Sequence, residues 1–259
     1  MTDLLNLEGK VVIVTGGTMG AGKGIALRFL QMGAEVVICA RHEPRLPIAF
    51  EGREAFFIPA NVRKLEDIDR VIEEVLRRYG RMDILVNNAG GSPPADAATA
   101  SPRFSASIID LNLIAPLNFA QKVNAVMQAQ DQGGCIINIG SVSGLRPSPK
   151  TAAYGAAKAG LLNLTTSLAV EWAPKVRVNA IAAGMILTEK AELHFGEGPV
   201  RDAVAQTAPM GRMALPRDVA DVCLFLASPL AAYVTGASIL LHGGGEWPAF
   251  LRAAEGLEP

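Results

Sequence analysis

Cysteine is almost absent from this chain. Cys39, Cys135 and Cys223 stand far apart, so neither a disulfide framework nor a pair of metal ligands is legible, and a reducing compartment suits the protein. Histidine is equally scarce. His42, His194 and His242 have no ligand spacing, and no metal is expected. An excess of one charge is missing too: 24 Lys and Arg against 25 Asp and Glu leave a formal charge of −1. That balance gives no basic footprint for nucleic acid and no polybasic surface for a membrane. No apolar run reaches about 18 residues, the length that would cross a bilayer. Met1 to Lys10 lacks a cationic stretch followed by an apolar one, the pattern of an export leader, and a cytoplasmic location is the expectation. With half the residues hydrophobic and 19% charged, disorder is excluded.

What is present alternates between two periods. Short β-branched or aromatic apolar runs recur at Val11–Thr15, Val36–Cys39, Ala55–Ile58, Ile84–Val86, Cys135–Ile139, Val176–Ile181 and Ser238–Leu241. Continuous runs of this kind suit strands buried on both faces, as in parallel sheets. Between them lie helical stripes. Ile68, Val71, Ile72, Val75, Leu76 and Tyr79 step by three and four, and Val219, Val222, Cys223 and Leu226 follow Pro216 and Asp218, which suit a first helical turn. The alternation predicts an α/β fold of three layers, a parallel sheet with helices on both faces. With no repeat and no linker, residues 1–259 read as one domain, with a glycine-led stretch from Gly243 to Pro259 whose part over 246–259 is a C-terminal tail.

The first strand runs directly into Thr15-Gly16-Gly17-Thr18-Met19-Gly20-Ala21-Gly22, ahead of a helical segment carrying Ile25, Phe29 and Leu30. Glycines there let the backbone approach a pyrophosphate, whose charge a helix N-terminus stabilises. The spacing is Gly-x-x-x-Gly-x-Gly, and the commoner Gly-x-Gly-x-x-Gly is absent from this stretch. At the end of the second strand an acid would accept a ribose 2′-hydroxyl, and an arginine would accommodate a 2′-phosphate. The strand ends Cys39-Ala40-Arg41 with no acid before Glu43. Arg41 favours NADP(H) over NAD(H); a solvated surface arginine, with Glu43 reaching the ribose, is the other reading.

These residues carry a family resemblance. The glycine turn, Asn87-Asn88-Ala89-Gly90 after the fourth strand, Asn112 in Leu111-Asn112-Leu113, Ser141 thirteen residues before Tyr154, Tyr154-Gly155-Ala156-Ala157-Lys158, Tyr233-Val234-Thr235-Gly236 and Gly243-Gly244 together resemble the short-chain dehydrogenase/reductase family over about residues 7 to 245. The resemblance implies a Rossmann-type sheet of seven parallel strands in the order 3-2-1-4-5-6-7 and a nicotinamide-dependent alcohol/carbonyl oxidoreductase, usually a homotetramer. Gly16, Thr18, Met19, Gly20, Gly22, Arg41, Asn61, Val62, Asn88, Ala89, Gly90, Tyr154, Lys158, Ile186 and Thr188 are the implied cofactor contacts. Asn112 is implied to anchor a water relaying protons to Lys158. Two departures stand out: Ala182-Ala183-Gly184-Met185-Ile186-Leu187-Thr188 lacks the family's usual Pro-Gly, and His242 stands where an acid is common.

The chemistry can also be read without the family. Tyr154 and Lys158, four apart on a helix, share one face. A free phenol has a pKa of about 10, and lowering it by roughly three units takes about 4 kcal/mol of preferential phenolate stabilisation. A nearby ammonium and an oxidised nicotinamide can supply that order of energy in a water-poor site. Tyr154 then serves as general acid or base, and Lys158 also holds the ribose. Ser141, past the carboxyl end of the fifth strand, steadies the developing alkoxide; Ser143 is a candidate substrate contact.

A flap over about residues 186–212 is expected above the substrate. Its Leu193, Phe195 and Met210, facing the Ser92–Pro94 loop, suggest an apolar ligand. Arg201 and Arg212 are candidates to meet an acyl carrier, and Trp247, Pro248, Phe250 and Leu251 to cap a neighbouring subunit or the substrate mouth. A small-molecule or acyl-thioester substrate is expected, with 3-oxoacyl reduction favoured. A steroid-like hydroxyl dehydrogenase and a non-catalytic nucleotide sensor are the alternatives.

Overall fold

The computed structural model describes residues 5–254 and 256; residues 1–4, 255 and 257–259, the outer ends of the expected 1–259 unit and of its tail, lie outside them. Strands β1 (Val11–Thr15) and β2 (Glu35–Ala40) flank helix α1 (Gly20–Gln31). A two-residue hairpin of β3 (Ala49–Phe50) and β4 (Arg53–Glu54) precedes β5 (Phe56–Pro59), α2 (Leu65–Tyr79) and β6 (Ile84–Asn87). Next come α3 (Pro102–Ile109), a π-helical turn (Asp110–Ile114), α4 (Ala115–Ala129), β7 (Gly134–Ser141), α5 (Ala152–Trp172) and β8 (Val176–Ala183). Short helices α6 (Glu192–Phe195) and α7 (Gly198–Gln206), then α8 (Pro216–Ala227), β9 (Ser238–Leu241) and α9 (Ala249–Ala254), close the chain.

Seven strands form one parallel sheet in the order β5-β2-β1-β6-β7-β8-β9, with β3 and β4 paired apart. Leaving that hairpin aside, this is the expected 3-2-1-4-5-6-7. The hairpin itself has no counterpart in the apolar runs, since its strands carry one large apolar residue, Phe50. Its turn residues Glu51 and Gly52 both have positive φ, the backbone that a two-residue hairpin requires.

Alternation along each strand builds the two outer layers. Val12, Val14, Val36, Ile38, Ile137 and Ile181 face one core with Ile25 and Phe29 of α1 and Val219 and Cys223 of α8. Val11, Ile13, Val37, Leu85, Ile136 and Val178 face the other with Ile68 and Val71 of α2 and Phe119 and Val123 of α4. Full burial of each such side chain contributes roughly 1.5–3 kcal/mol. Both helical stripes lie where expected: Ile68, Val71, Ile72 and Val75 are buried, as are Val219, Cys223 and Leu226. The three cysteines are buried thiols, Cys39 pushed up to about 12 by desolvation, which leaves them unreactive.

Several strands run further than the apolar runs at their carboxyl ends. β6 continues to Asn87, β7 to Ser141 and β8 to Ala183, because ladder pairing continues where the side chains become polar: Asn87 pairs with Asn138, and Ser141 with Ala183. The carboxyl edge of the sheet, where open α/β folds bind ligands, is therefore where polar groups enter.

Candidate active site

Helix α1 starts directly after the turn that leaves β1, and this turn is packed without slack. A methyl group at Gly22 would lie 2.3 Å from the Gly16 carbonyl oxygen and 2.4 Å from Asn88 Nδ2. Asn88 Nδ2 donates to the carbonyls of Thr15 (2.9 Å) and Gly16 (3.2 Å). Thr15 Oγ1 accepts from the backbone N–H groups of Asn88 and Ala89, both at 3.0 Å. Asn88 and Ala89 thus brace the glycine turn. The Thr15 hydroxyl, quoted in the motif without a role, is the clamp between β1 and β6.

The N-terminus of α1 already accepts an anion. Glu189 Oε2 takes a hydrogen bond from the Gly20 N–H at 2.9 Å, and the Thr188 side chain packs against Gly20. A carboxylate on this N–H is a stand-in for a phosphate oxygen, so the turn fits the diphosphate of a dinucleotide. Thr18 is half-buried and Met19 exposed on the same turn. Ile186 is held by a bridge to Ala214. Arg41 is exposed beyond β2, and among the described residues no ion pair or hydrogen bond engages it. Asn61 follows β5, accepting from the Arg63 N–H at 3.2 Å while its own N–H donates to Asp67; Val62 beside it is buried.

Ser141, Tyr154 and Lys158 converge at the ends of β7 and α5. Lys158 is buried, and its Nζ donates to the Ile139 carbonyl at 2.7 Å and lies 5.6 Å from the centre of the Tyr154 ring. Desolvation lowers its pKa to about 8, so most of the population is still charged at neutrality. The Tyr154 phenol is held above its usual value by burial, while a hydrogen bond with Ser141 acts the other way. Ser141 Oγ accepts from the Ser143 N–H at 3.1 Å, which fixes the turn Val142–Gly144 beside the serine.

Asn112 sits in the π-helical turn, fully buried. Its amide donates to the Gly91 and Ile108 carbonyls and accepts from the Gly91 N–H at 2.8 Å. A methyl group at Gly90 would lie 2.7 Å from Asn112 Oδ1 and 3.3 Å from Lys158 Nζ. Only glycine there allows the amide and the amine to approach one backbone position. Behind them runs a chain of polar side chains. Asn87 Nδ2 donates to Asn138 Oδ1 at 3.0 Å, and Asn138 Nδ2 donates to Thr165 Oγ1 at 3.0 Å. This chain ties β6 and β7 to α5. Asn138 escaped the sequence reading because its partners lie 27 and 51 residues away.

Past Ser141 a cavity of about 290 Å³ opens between the ends of β7, β8 and β9, lined by Val142, Leu145, Met185, Leu240, His242 and Arg146 among others. It is apolar as expected, but from residues other than those expected. Leu193 and Met210 are 73% and 66% exposed, and Met210 packs against Gly243. The flap folds as α6 and α7, too short for a hydrophobic stripe to form. Arg201 pairs with Glu192 and Asp202, and Arg212 with Asp218 at 2.6 Å, so both are engaged within the chain. Trp247 and Phe250 are exposed.

A parallel doubly wound sheet, a glycine turn that seats an anion at its switch point, and a buried lysine beside a phenol define a nucleotide-dependent oxidoreductase of Rossmann type. Residues 16–246 match the family described as enoyl-(acyl carrier protein) reductase. The chain is 37% identical over 246 residues to the 3-oxoacyl-[acyl-carrier-protein] reductase FabG of Thermotoga maritima, covering 93% of this chain and 99% of that one. A short-chain type dehydrogenase/reductase from Mycobacterium marinum superposes with TM-score 0.87 at 32% identity over 95% and 99% of the two chains. The ligand-free aldohexose dehydrogenase of Thermoplasma acidophilum does so with TM-score 0.84 at 31% identity over 92% and 94%. The chain belongs to the short-chain dehydrogenase/reductase family, whose members use NAD(P)(H).

Proposed function

We propose that the protein interconverts a secondary alcohol and a ketone on an apolar acyl or alicyclic substrate, with reduction of a 3-oxoacyl group as the favoured reaction. The observation that carries this reading is the convergence of Ser141, Tyr154, Lys158 and Asn112 beside the glycine turn. A bound nicotinamide dinucleotide supplies or takes the hydride. The chain's own residues manage the proton. Tyr154, kept protonated by burial, is the donor to a carbonyl oxygen. The Lys158 ammonium favours the phenolate once that proton has left. Ser141 holds the oxygen as charge develops, and Asn112 steadies the backbone at Gly91 behind the lysine. Gly16, Thr18, Met19, Gly20, Gly22, Asn61, Val62, Asn88, Ala89, Gly90, Ile186 and Thr188 hold or shape the dinucleotide cleft. The unengaged Arg41 supports NADP(H) over NAD(H).

The similarity to an acyl-carrier-protein reductase supports the acyl substrate. The similarity to a dehydrogenase of aldohexoses keeps cyclic alcohols as the second reading. We further take residues 1–259 to act as one catalytic unit in the cytoplasm, assembled as a homotetramer. Edge strand β9 with Leu240 at 53% exposure, and α5 with Val170 at 82%, are the apolar surfaces that support assembly. The test is nucleotide oxidation at 340 nm against 3-oxoacyl thioesters and cyclic ketones, with NADPH and NADH in parallel. Tyr154→Phe should lose about 10²–10⁴-fold in kcat while nucleotide affinity stays within about twofold. Retained turnover would remove Tyr154 from the proton transfer.

A further inference from the structure

The cavity beside Ser141 is walled on one side by chain from the far end of the sequence. Val142 follows Ser141 directly, and Gly184 and Met185 follow Ala183, the ladder partner of Ser141. After β9 the backbone passes through Gly243, Gly244 and Gly245, all with positive φ, and this reversal turns Glu246 back onto Arg146. The guanidinium Nη2 donates to Glu246 Oε1 at 2.6 Å, across 100 residues of sequence, and both side chains line the cavity. Each is close to half exposed, at 46% and 40%. A pair so placed is worth about fivefold at most in an equilibrium. It therefore holds the strap in place without locking it. No local motif links the two residues; only the topology that sets β7, β8 and β9 side by side brings them together.

We propose that the Arg146–Glu246 pair is the substrate-size gate, which makes Arg146 and Glu246 specificity-determining residues. The proposal rests on the alcohol/ketone reading above and narrows its substrate class. The cavity, about 290 Å³, lies at the small end of the roughly 300–1,000 Å³ of ligand sites and equals about ten liquid waters. Apart from His242 its walls are apolar, and its one acid and one guanidinium neutralise each other. The substrate arm it accepts is uncharged and compact, a short acyl chain or a single alicyclic ring. Fused-ring substrates enter only with the strap open.

The experiment compares cyclohexanone with a fused-ring steroid ketone in the full-length chain, as the ratio of their kcat/KM values with NADPH. Wild type should favour cyclohexanone. Glu246→Gln, which removes the charge and keeps the bulk, should raise the fused-ring share about three- to fivefold. Arg146→Ala should raise it further, and the swap R146E/E246R should return it to within about twofold of wild type. A second readout does not depend on turnover. Trp172 and Trp247 are the two tryptophans of the chain, so a Trp172→Phe background leaves Trp247, beside Glu246, as the sole reporter. Because Trp247 is already 59% exposed, the readout is its fluorescence anisotropy, which should fall in Glu246→Gln and recover in the swap. An unchanged substrate ratio in both single variants, or a Trp247 anisotropy that does not respond, overturns the gate. If wild type turns over no ketone while the anisotropy responds as stated, the strap stands and the functional reading fails.

Discussion

The two halves of the site are built on different physical terms. The dinucleotide half is set by backbone. Gly22 meets the Gly16 carbonyl where no methyl group fits, and Asn88 and Thr15 spend their polar atoms on main-chain partners. The half proposed for the substrate is set by side chains at strand ends and on the loops that follow them, with an exposed ion pair and a glycine turn at its edge. A cofactor common to a family demands one fixed cradle, whereas substrates differ and are selected by parts that can be exchanged or moved.

The largest effect expected from this contrast comes from placing one methyl on each side. Gly22→Ala forces backbone atoms apart and should cost about 1–3 kcal/mol of stability, with nucleotide affinity falling at least tenfold. Gly245→Ala adds a methyl whose nearest neighbour is the His242 ring at 3.6 Å, so its cost is the strain of a positive φ, about 1–2 kcal/mol. Nucleotide affinity should stay unchanged there while the KM for ketones moves. Calorimetric melting and nucleotide titration of the two variants separate the halves; equal nucleotide losses would erase the distinction.

The same contrast explains what the sequence revealed. The cofactor half was legible because a backbone cradle leaves a local signature: the glycines of residues 16–22 occupy one short segment after a strand, and Tyr154 and Lys158 share one helix face. The sheet order came from the resemblance, and the parallel sheet itself from runs of Val and Ile that pack on both sides. Strand ends at Asn87 and Ser141 were cut short because polar residues interrupt the apolar pattern just where the strands enter the site. The substrate half left no such signature. Leu193 and Met210 looked like pocket walls by position in the chain, but the cavity is lined by Val142, Leu145, Met185 and Leu240, drawn from the ends of three strands. Nothing within a local window places Glu246 on Arg146 or Glu189 on Gly20.

A second effect sits where the halves meet. Lys158 is buried with its pKa lowered to about 8, against about 10.4 in an unfolded chain. Between those values the unfolded state binds more protons than the folded one, so stability contributed by this group rises with pH across that window. Below pH 8 the folded protein carries the whole cost of the buried charge, about 3 kcal/mol at 1.36 kcal/mol per unit. Lys158→Met removes the charge and also the hydrogen bond to Ile139, worth about 1 kcal/mol. The variant should be inactive yet about 2 kcal/mol more stable at pH 7, with the advantage shrinking from pH 8 to 10. Urea melts at the two pH values check it; a pH-independent difference would mean that the amine is not desolvated.

The smallest effect tests whether the cofactor half is also partly occupied by the segment that follows β8. Glu189 belongs to the segment that follows β8, yet its carboxylate rests on the Gly20 N–H, at the helix end where a diphosphate would sit. Two anions cannot share one helix N-terminus without repulsion, so nucleotide entry has to displace this carboxylate or bind against its charge. A carboxylate at such a position is worth about 0.3–1 kcal/mol to the helix, and that amount is the competition the nucleotide must overcome. Glu189→Gln keeps the size of the side chain and an acceptor oxygen but removes the charge. The dinucleotide should bind about two- to fivefold more tightly, with the gain fading as ionic strength rises. Fluorescence titration with NADPH at low and high salt reads both. Weaker binding in the variant would instead assign Glu189 to the cradle itself, and the boundary between the fixed and the movable half would lie beyond residue 189.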